Sequence, residues 1–289
     1  DAAAAAAAAA KKEHIFSEAA PKPLAPLHEP LKATFSWMDY HALEVARQLT
    51  LIEYNIYRSI NPWEFLNQGW GKKDKDVRAP NVVSMVNRFN LVSGWVRTEI
   101  VRRTELRERV HAMQRLIEIA DNCRELNNLN CVAEIVSGIN SSPVFRLKHT
   151  FAALPQRWRD KFEALALIMK PQNSYKNFRE HLHNCKPPCI PYLGVYLTDL
   201  TFIEDGNADV LRTTATGVPL INARKRAMVY ETLAQVQLFQ APTRRYDKNI
   251  VRTEPLHTWL SALPAEHDAR LYDMSLAREP RGIDESDVL

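Results

Sequence analysis

Apolar residues along the chain recur mainly at helical spacing. Leu43, Ala46, Leu49, Ile52, Ile56 and Ile60 fall three or four apart, which predicts a helix capped by Asp39 with one stripe toward a core. Asn61-Pro62 ends it. Residues 67–80 are charged, hold Gly69, Gly71 and Pro80, and read as a loop. Val82, Met85, Val86, Phe89, Val92 and Val96 predict a second helix, opened by Asn81 and running to about Arg103. Leu106, Val110, Met113, Ile117 and Ala120 predict a third from about Glu105 to Glu125, with a surface pair Glu105–Arg109 worth a few tenths of a kcal/mol. Shorter helices are predicted over 130–138, 156–169 and 174–183, punctuated by Pro143, Pro155 and Pro171. A long one follows over 219–240, with two more near 254–262 and 264–276. No stretch keeps a period-two alternation, so the fold class is all-α, a single large irregular helical domain.

Composition narrows the possibilities. Nine consecutive alanines at 2–10 specify no face and are set aside, and residues 11–34, with Pro21, Pro23, Pro26 and Pro30, read as a tail. The expected organisation is a tail over 1–34, a domain over 35–280 and a second tail over 281–289. Eight glycines in 289 residues is well below the usual ~7%. None completes a dinucleotide or phosphate-loop pattern, so no nucleotide cofactor is expected. The net charge of +4 arises from interspersed charges, as in Glu105-Leu106-Arg107-Glu108-Arg109, which argues against a nucleic-acid partner. No apolar run reaches the ~18 residues of a membrane span and no secretory core opens the chain, so a cytoplasmic protein without membrane insertion is expected.

The stretch His181-Leu182-His183-Asn184-Cys185-Lys186-Pro187-Pro188-Cys189 offers zinc-type ligands. Yet His181 and His183 would face different sides of a helix, and Pro187-Pro188 stiffens the gap between the thiols. A helix end followed by a rigid turn accounts for the pattern, and no metal is expected.

Residues 191–204 are apolar nearly all round, which predicts a buried helix. It gives way to a hydrophilic tip, Glu204-Asp205-Gly206-Asn207, before the next helix with Arg224-Lys225-Arg226 near its start. Together they read as a helical hairpin with a packed base and a carboxylate tip. On pattern alone the favoured reading is a core hairpin with a solvated turn.

Several ordered segments carry a family resemblance. They are Ala42 to Glu53, Arg109-Val110, Glu125 to Asn130, Asn140 to Leu147, and Pro187 to Leu200. From about Trp37 to Pro280 the chain resembles the catalytic domain of Ras-type guanine nucleotide exchange factors of the Son-of-sevenless kind. That resemblance implies a protruding hairpin that opens the nucleotide site of a small GTPase. Asp205 matches the hairpin carboxylate that bonds the phosphate loop, and Thr201 matches the residue that crowds the Mg²⁺ site. Both depart from the family pattern: Asp is one methylene shorter than Glu, and Thr is smaller than Leu. Glu204 is a possible substitute acid, pointing about 100° away. Met85, Val86, Ala133, Tyr175 and Tyr192 match a pocket gripping an aromatic side chain of switch II. Asn140, Ser142, Thr198 and Asp199 complete the implied GTPase-binding set.

The function expected is therefore exchange without covalent chemistry: binding a Ras-family GTPase, Ras before Rap or Ral, and promoting GDP release. The run Thr198-Asp199-Leu200-Thr201-Phe202-Ile203-Glu204 favours Ras. A scaffold of the same fold with weak or no exchange activity is the alternative, and the short Asp205 favours it. A lipid adaptor would need a basic amphipathic stripe, which the pattern lacks. The resemblance also implies that a helical domain precedes this one in a longer protein, and recruitment to the membrane that anchors the GTPase.

Overall fold

A computed structural model describes residues 22–27, 35–212, 217–240 and 245–281. Helix α1 is Ala42–Tyr57. A 3-10 segment, Pro62–Gly71, leads to a short α2, Lys75–Arg78, and to α3, Pro80–Val101. Then come α4, Leu106–Glu125, and α5, Leu129–Ile139. Four further helices follow: α6, Ser142–Phe145; α7, Lys148–Ala153; α8, Gln156–Ile168; and α9, Gln172–His183. Helix α10, Leu193–Gly206, is joined to α11, Ala223–Gln240, through strands β1, Val210–Arg212, and β2, Pro219–Ile221. Helices α12, Tyr246–Asn249, α13, Leu256–Ser261, and α14, Asp268–Arg278, end the described chain.

The core lies where α1, α3, α4 and α5 pack on one another. Gly138 lets α5 approach α3 closely: a Cβ there would come within 2.6 Å of Val96 and 2.9 Å of the Ser93 carbonyl. Helix α1 differs from its predicted single stripe. Its polar residues Glu44, Arg47, Gln48, Thr50 and Glu53 are buried as well, because the chain around Val251 and Thr253 covers the face opposite α4. Gln48 donates 2.8 Å to both the Glu44 carboxylate and the Val251 carbonyl, which satisfies its buried amide nitrogen.

Other expectations change for local reasons. Asp39 does not cap α1; it sits in a 3-10 turn, Trp37–Asp39, that Ser36 caps, and α1 starts after His41. The loop predicted over 67–80 folds largely into the 3-10 segment and α2. Helix α3 begins at Pro80 and not Asn81, because the buried Glu64 carboxylate takes the free N–H groups of Asn81 and Val82 at 2.7 and 3.1 Å. Burial opposes that charge, but these hydrogen bonds outweigh it and hold the Glu64 carboxyl below its ordinary value. Arg109 forms no surface pair with Glu105. It turns inward, donating to Thr150 at 3.0 Å and pairing with Glu279 at 3.6 Å. The helix predicted from 219 starts at 223, since residues 219–221 pair antiparallel with 210–212.

The Asn-rich junction of α4 and α5 positions everything after residue 186. Asn127 adopts a left-handed φ of 58°, a common way to end a helix. Its side-chain amide donates to the carbonyls of Lys186 and Pro188. The Ile190 carbonyl accepts from the N–H groups of Leu129 and Asn130, and the Tyr246 hydroxyl donates to Leu126 and Pro188 carbonyls. Asn128 caps α5 by accepting from the Cys131 N–H at 3.0 Å. The Pro187–Cys189 turn is thereby fastened to the core, and α10 starts from a fixed base.

Candidate functional site

Helix α10 connects two local arrangements. The first is a pocket of about 270 Å³ at its start, lined by Met85, Val86 and Phe89 of α3, Asn130 of α5, Tyr192 and Leu197 among others. The Tyr192 ring stacks on Phe89 with centroids 5.2 Å apart, and Tyr175 meets Tyr192 edge-on at 6.3 Å. Gly194 makes room for this ring: a Cβ would lie 2.4 Å from it. Burial first, and Tyr175 second, push the Tyr192 phenol up, so it stays protonated. Met85 is buried beneath while Val86 is exposed at the rim.

Asn130 is held from below. Its amide nitrogen donates to Glu134 at 2.8 Å and to Glu53 at 3.3 Å, both carboxylates fully buried. Burial pushes both carboxyls up and Arg88 pulls them down, with Glu53 adding to the rise at Glu134. Among the described residues, Glu53, Cys131 and Glu134 are the trio that could offer a metal three ligand atoms, all within 4.8 Å. The amide of Asn130 already donates to both carboxylates and the charge of Arg88 acts on them, so the trio reads as a core polar network. Cys185 is half-buried and Cys189 buried at either side of the Pro-Pro turn.

The second arrangement lies at the end of α10. Thr198, Thr201 and Asp205 recur at spacings of three and four, so they share one edge. The hydroxyls of Thr198 and Thr201 each donate 2.8 Å to the carbonyl four residues back, which turns the rest of the side chain outward. Asp205 is exposed and lies in the last helical turn rather than in a solvated loop, because α10 continues to Gly206. Its carboxylate accepts from Gln68 at 2.8 Å. Gln68 reaches it from the kink of the 3-10 segment, where Asn67 and Gln68 both hold φ of 54°. Glu204 is engaged: Lys225, only 2% exposed, pairs with it at 2.6 Å and with Asp209 at 3.0 Å. Burial alone would lower the Lys225 pKa, but these two bonds raise it. The burial predicted for α10 holds on one face only. Leu193, Val195, Tyr196 and Leu200 are inside, whereas Phe202 is 71% exposed.

The structure thus gathers Met85, Val86 and Tyr192 at one pocket, with Tyr175 flanking. Ala133 is buried on α5 and does not line it. Asp199 is taken by Arg179, whose terminal nitrogen contacts both its oxygens at 2.8 Å. Asn140 lies in a different cavity of about 680 Å³ against α8, and Ser142 is exposed at the start of α6. Residues missed from sequence are Phe89, Asn130 and Gln68. Phe89 follows Met85 by four positions on the same face, a usable signal. Asn130 and Gln68 act across long separations that no local pattern reveals.

The described residues thus form a mostly helical body with a hairpin of α10, β1, β2 and α11, an aromatic pocket at the start of α10 and an exposed carboxylate in its last turn. Comparisons with known proteins give the family. Residues 44–227 match the RasGEF domain. The chain is 41% identical over 282 residues to Ras guanine nucleotide exchange factor A of Dictyostelium discoideum, covering 96% of this chain and 46% of that protein. It is 41% identical over 245 residues to factor R of the same organism, covering 85% of this chain and 14% of that protein. Factor E is 45% identical over 198 residues, 68% of this chain and 19% of its own length. The chain belongs to the RasGEF domain family, and it spans less than half the length of these relatives. No helix of the described residues is long and apolar enough to cross a membrane.

Proposed function

We propose that the chain binds a Ras-family GTPase and accelerates its release of GDP, so that GTP can load, with Ras preferred over Rap and Ral. Membership of the RasGEF family carries this reading. An exchange factor makes and breaks no covalent bond; it stabilises the nucleotide-free GTPase more than the loaded one. Acceleration of about 10⁵ requires roughly 7 kcal/mol of barrier lowering, beyond any single contact. The pocket at Met85, Val86 and Tyr192 would grip an aromatic of switch II. The edge at Thr201 and Asp205, near the end of a helix of fourteen residues about 20 Å long, would approach the metal and phosphate sites. There an exposed carboxylate competes with phosphate for the same donors.

A release assay with purified Ras, Rap and Ral GTPases loaded with fluorescent GDP tests this. Fastest release from Ras is the expected result, and no acceleration of any GTPase overturns it. One observation favours a second reading, a GTPase-binding scaffold: the short Asp205 already has a partner in Gln68. Tight binding without accelerated release would establish that alternative.

A further inference from the structure

We infer that Asn130 is a specificity-determining residue that makes the docking pocket select a hydroxyl-bearing aromatic, tyrosine over phenylalanine, on the GTPase. The inference rests on the function proposed above and names the chemistry that its pocket reads.

Asn130 is 1% exposed, yet it lines the cavity between α3, α5 and α10. An asparagine has two donors and an oxygen acceptor, and its amide orientation follows from its partners. Here the nitrogen lies against two carboxylates, Glu134 at 2.8 Å and Glu53 at 3.3 Å, so it is the nitrogen that faces the core. The carbonyl oxygen is then the polar atom left for the cavity, and among the described residues no donor reaches it. The backbone of Asn130 is equally fixed, its N–H donating to the Ile190 carbonyl at 3.1 Å.

The rest of the pocket suits an aromatic ring. A dry cavity of about 150 Å³ accommodates benzene. The volume of about 270 Å³ here leaves room for a ring and a hydroxyl. Phe89 and Tyr192 provide stacked walls and Met85 an adaptable sulfur-bearing floor. In such a site a phenol would donate to the waiting acceptor. A phenyl ring would leave that oxygen desolvated and unpaired, which is the stronger source of discrimination.

The test compares nucleotide-free Ras GTPase carrying its switch II tyrosine with the Tyr→Phe variant of that GTPase. The unaltered chain should bind the Phe form about five- to tenfold more weakly. Asn130→Leu, similar in shape but without the acceptor, should bind the two forms equally. Circular dichroism melts report whether Asn130→Leu folds; if it does not, the comparison on the unaltered chain decides alone. Equal affinity of the unaltered chain for both forms overturns the inference while leaving exchange activity standing. So does a full tyrosine preference that survives in Asn130→Leu. Failure of the chain to bind or discharge either GTPase overturns the proposed function and this inference with it.

Discussion

At the start of α10, Tyr192 and Leu197 enter a wall shared with α3 and α5, whereas at its end Asp205 stands in solvent against one neutral amide. The first region is anchored by backbone bonds to Ile190, by Asn127 and by the Tyr246 hydroxyl. The second is balanced by charge, with Lys225 shared between Glu204 and Asp209 and no apolar cover over Phe202. Rigid aromatic surface supports affinity, because anchors lose little entropy on binding. An exposed carboxylate adds little affinity in water but much where it meets cations and N–H groups built for phosphate. Under the proposed function, this difference would give holding to the pocket and ejection of nucleotide to the helix end.

Truncation of the anchor should give the largest effect. Tyr192→Ala should weaken binding to nucleotide-free GTPase by about 2 kcal/mol or more, roughly thirtyfold, with a smaller change in melting. Calorimetric titration beside a thermal melt checks this; a collapsed melt with unchanged affinity of the folded fraction would make Tyr192 a core residue. Asp205→Ala should slow release about 10- to 100-fold, the worth of one charge-assisted bond, with little change in affinity. Asp205→Glu should match or exceed the parent, and a Glu variant as slow as the Ala variant would deny the carboxylate its role.

A third effect belongs to the pocket's support alone. Burial, and then Glu53 beside it, hold the Glu134 carboxyl well above its ordinary 4.5, against the pull of Arg88. The folded chain therefore keeps a proton that the unfolded chain releases. This group's contribution to stability is full below that ordinary value and falls as pH rises toward the folded one. Glu134→Gln keeps an oxygen for Asn130 and removes the titration. Its urea midpoint should drop less between pH 5 and pH 8 than the parent's, and an equal drop would place the pH dependence elsewhere. Thr201→Ala should have the smallest effect, a few-fold loss in release rate, since its hydroxyl is turned back onto Leu197 and only a methyl faces out. A loss equal to that of Asp205→Ala would mean that bulk near the metal site matters as much as charge.

The long helices were readable because a buried face repeats every three or four residues, and α3 and α4 fall within two residues of where that repeat places them. Helix ends were less so. Glu64 decides the start of α3 from seventeen residues away, and a three-residue 3-10 turn displaces the expected cap at Asp39. Strands of three residues at 210–212 and 219–221 are too short for alternation to register. Arg109 looked like a surface charge because its partner, Glu279, lies 170 positions downstream. At the candidate site, Met85, Val86, Tyr192 and Asp205 were reached through family resemblance. Asn130 lay within a quoted motif with no role given to it, since its meaning depends on two carboxylates on other turns of the core. Gln68 was hidden because only the folded kink brings it to Asp205.

The division between holding and ejection is tested most directly by release of fluorescent GDP from Ras GTPase, followed by stopped flow as a function of chain concentration. The account predicts a rate that saturates. Tyr192→Ala should shift the half-saturating concentration upward and leave the plateau in place, while Asp205→Ala should lower the plateau at an unchanged half-saturation. Both substitutions moving the same parameter, or no stimulation by the unaltered chain, would contradict it.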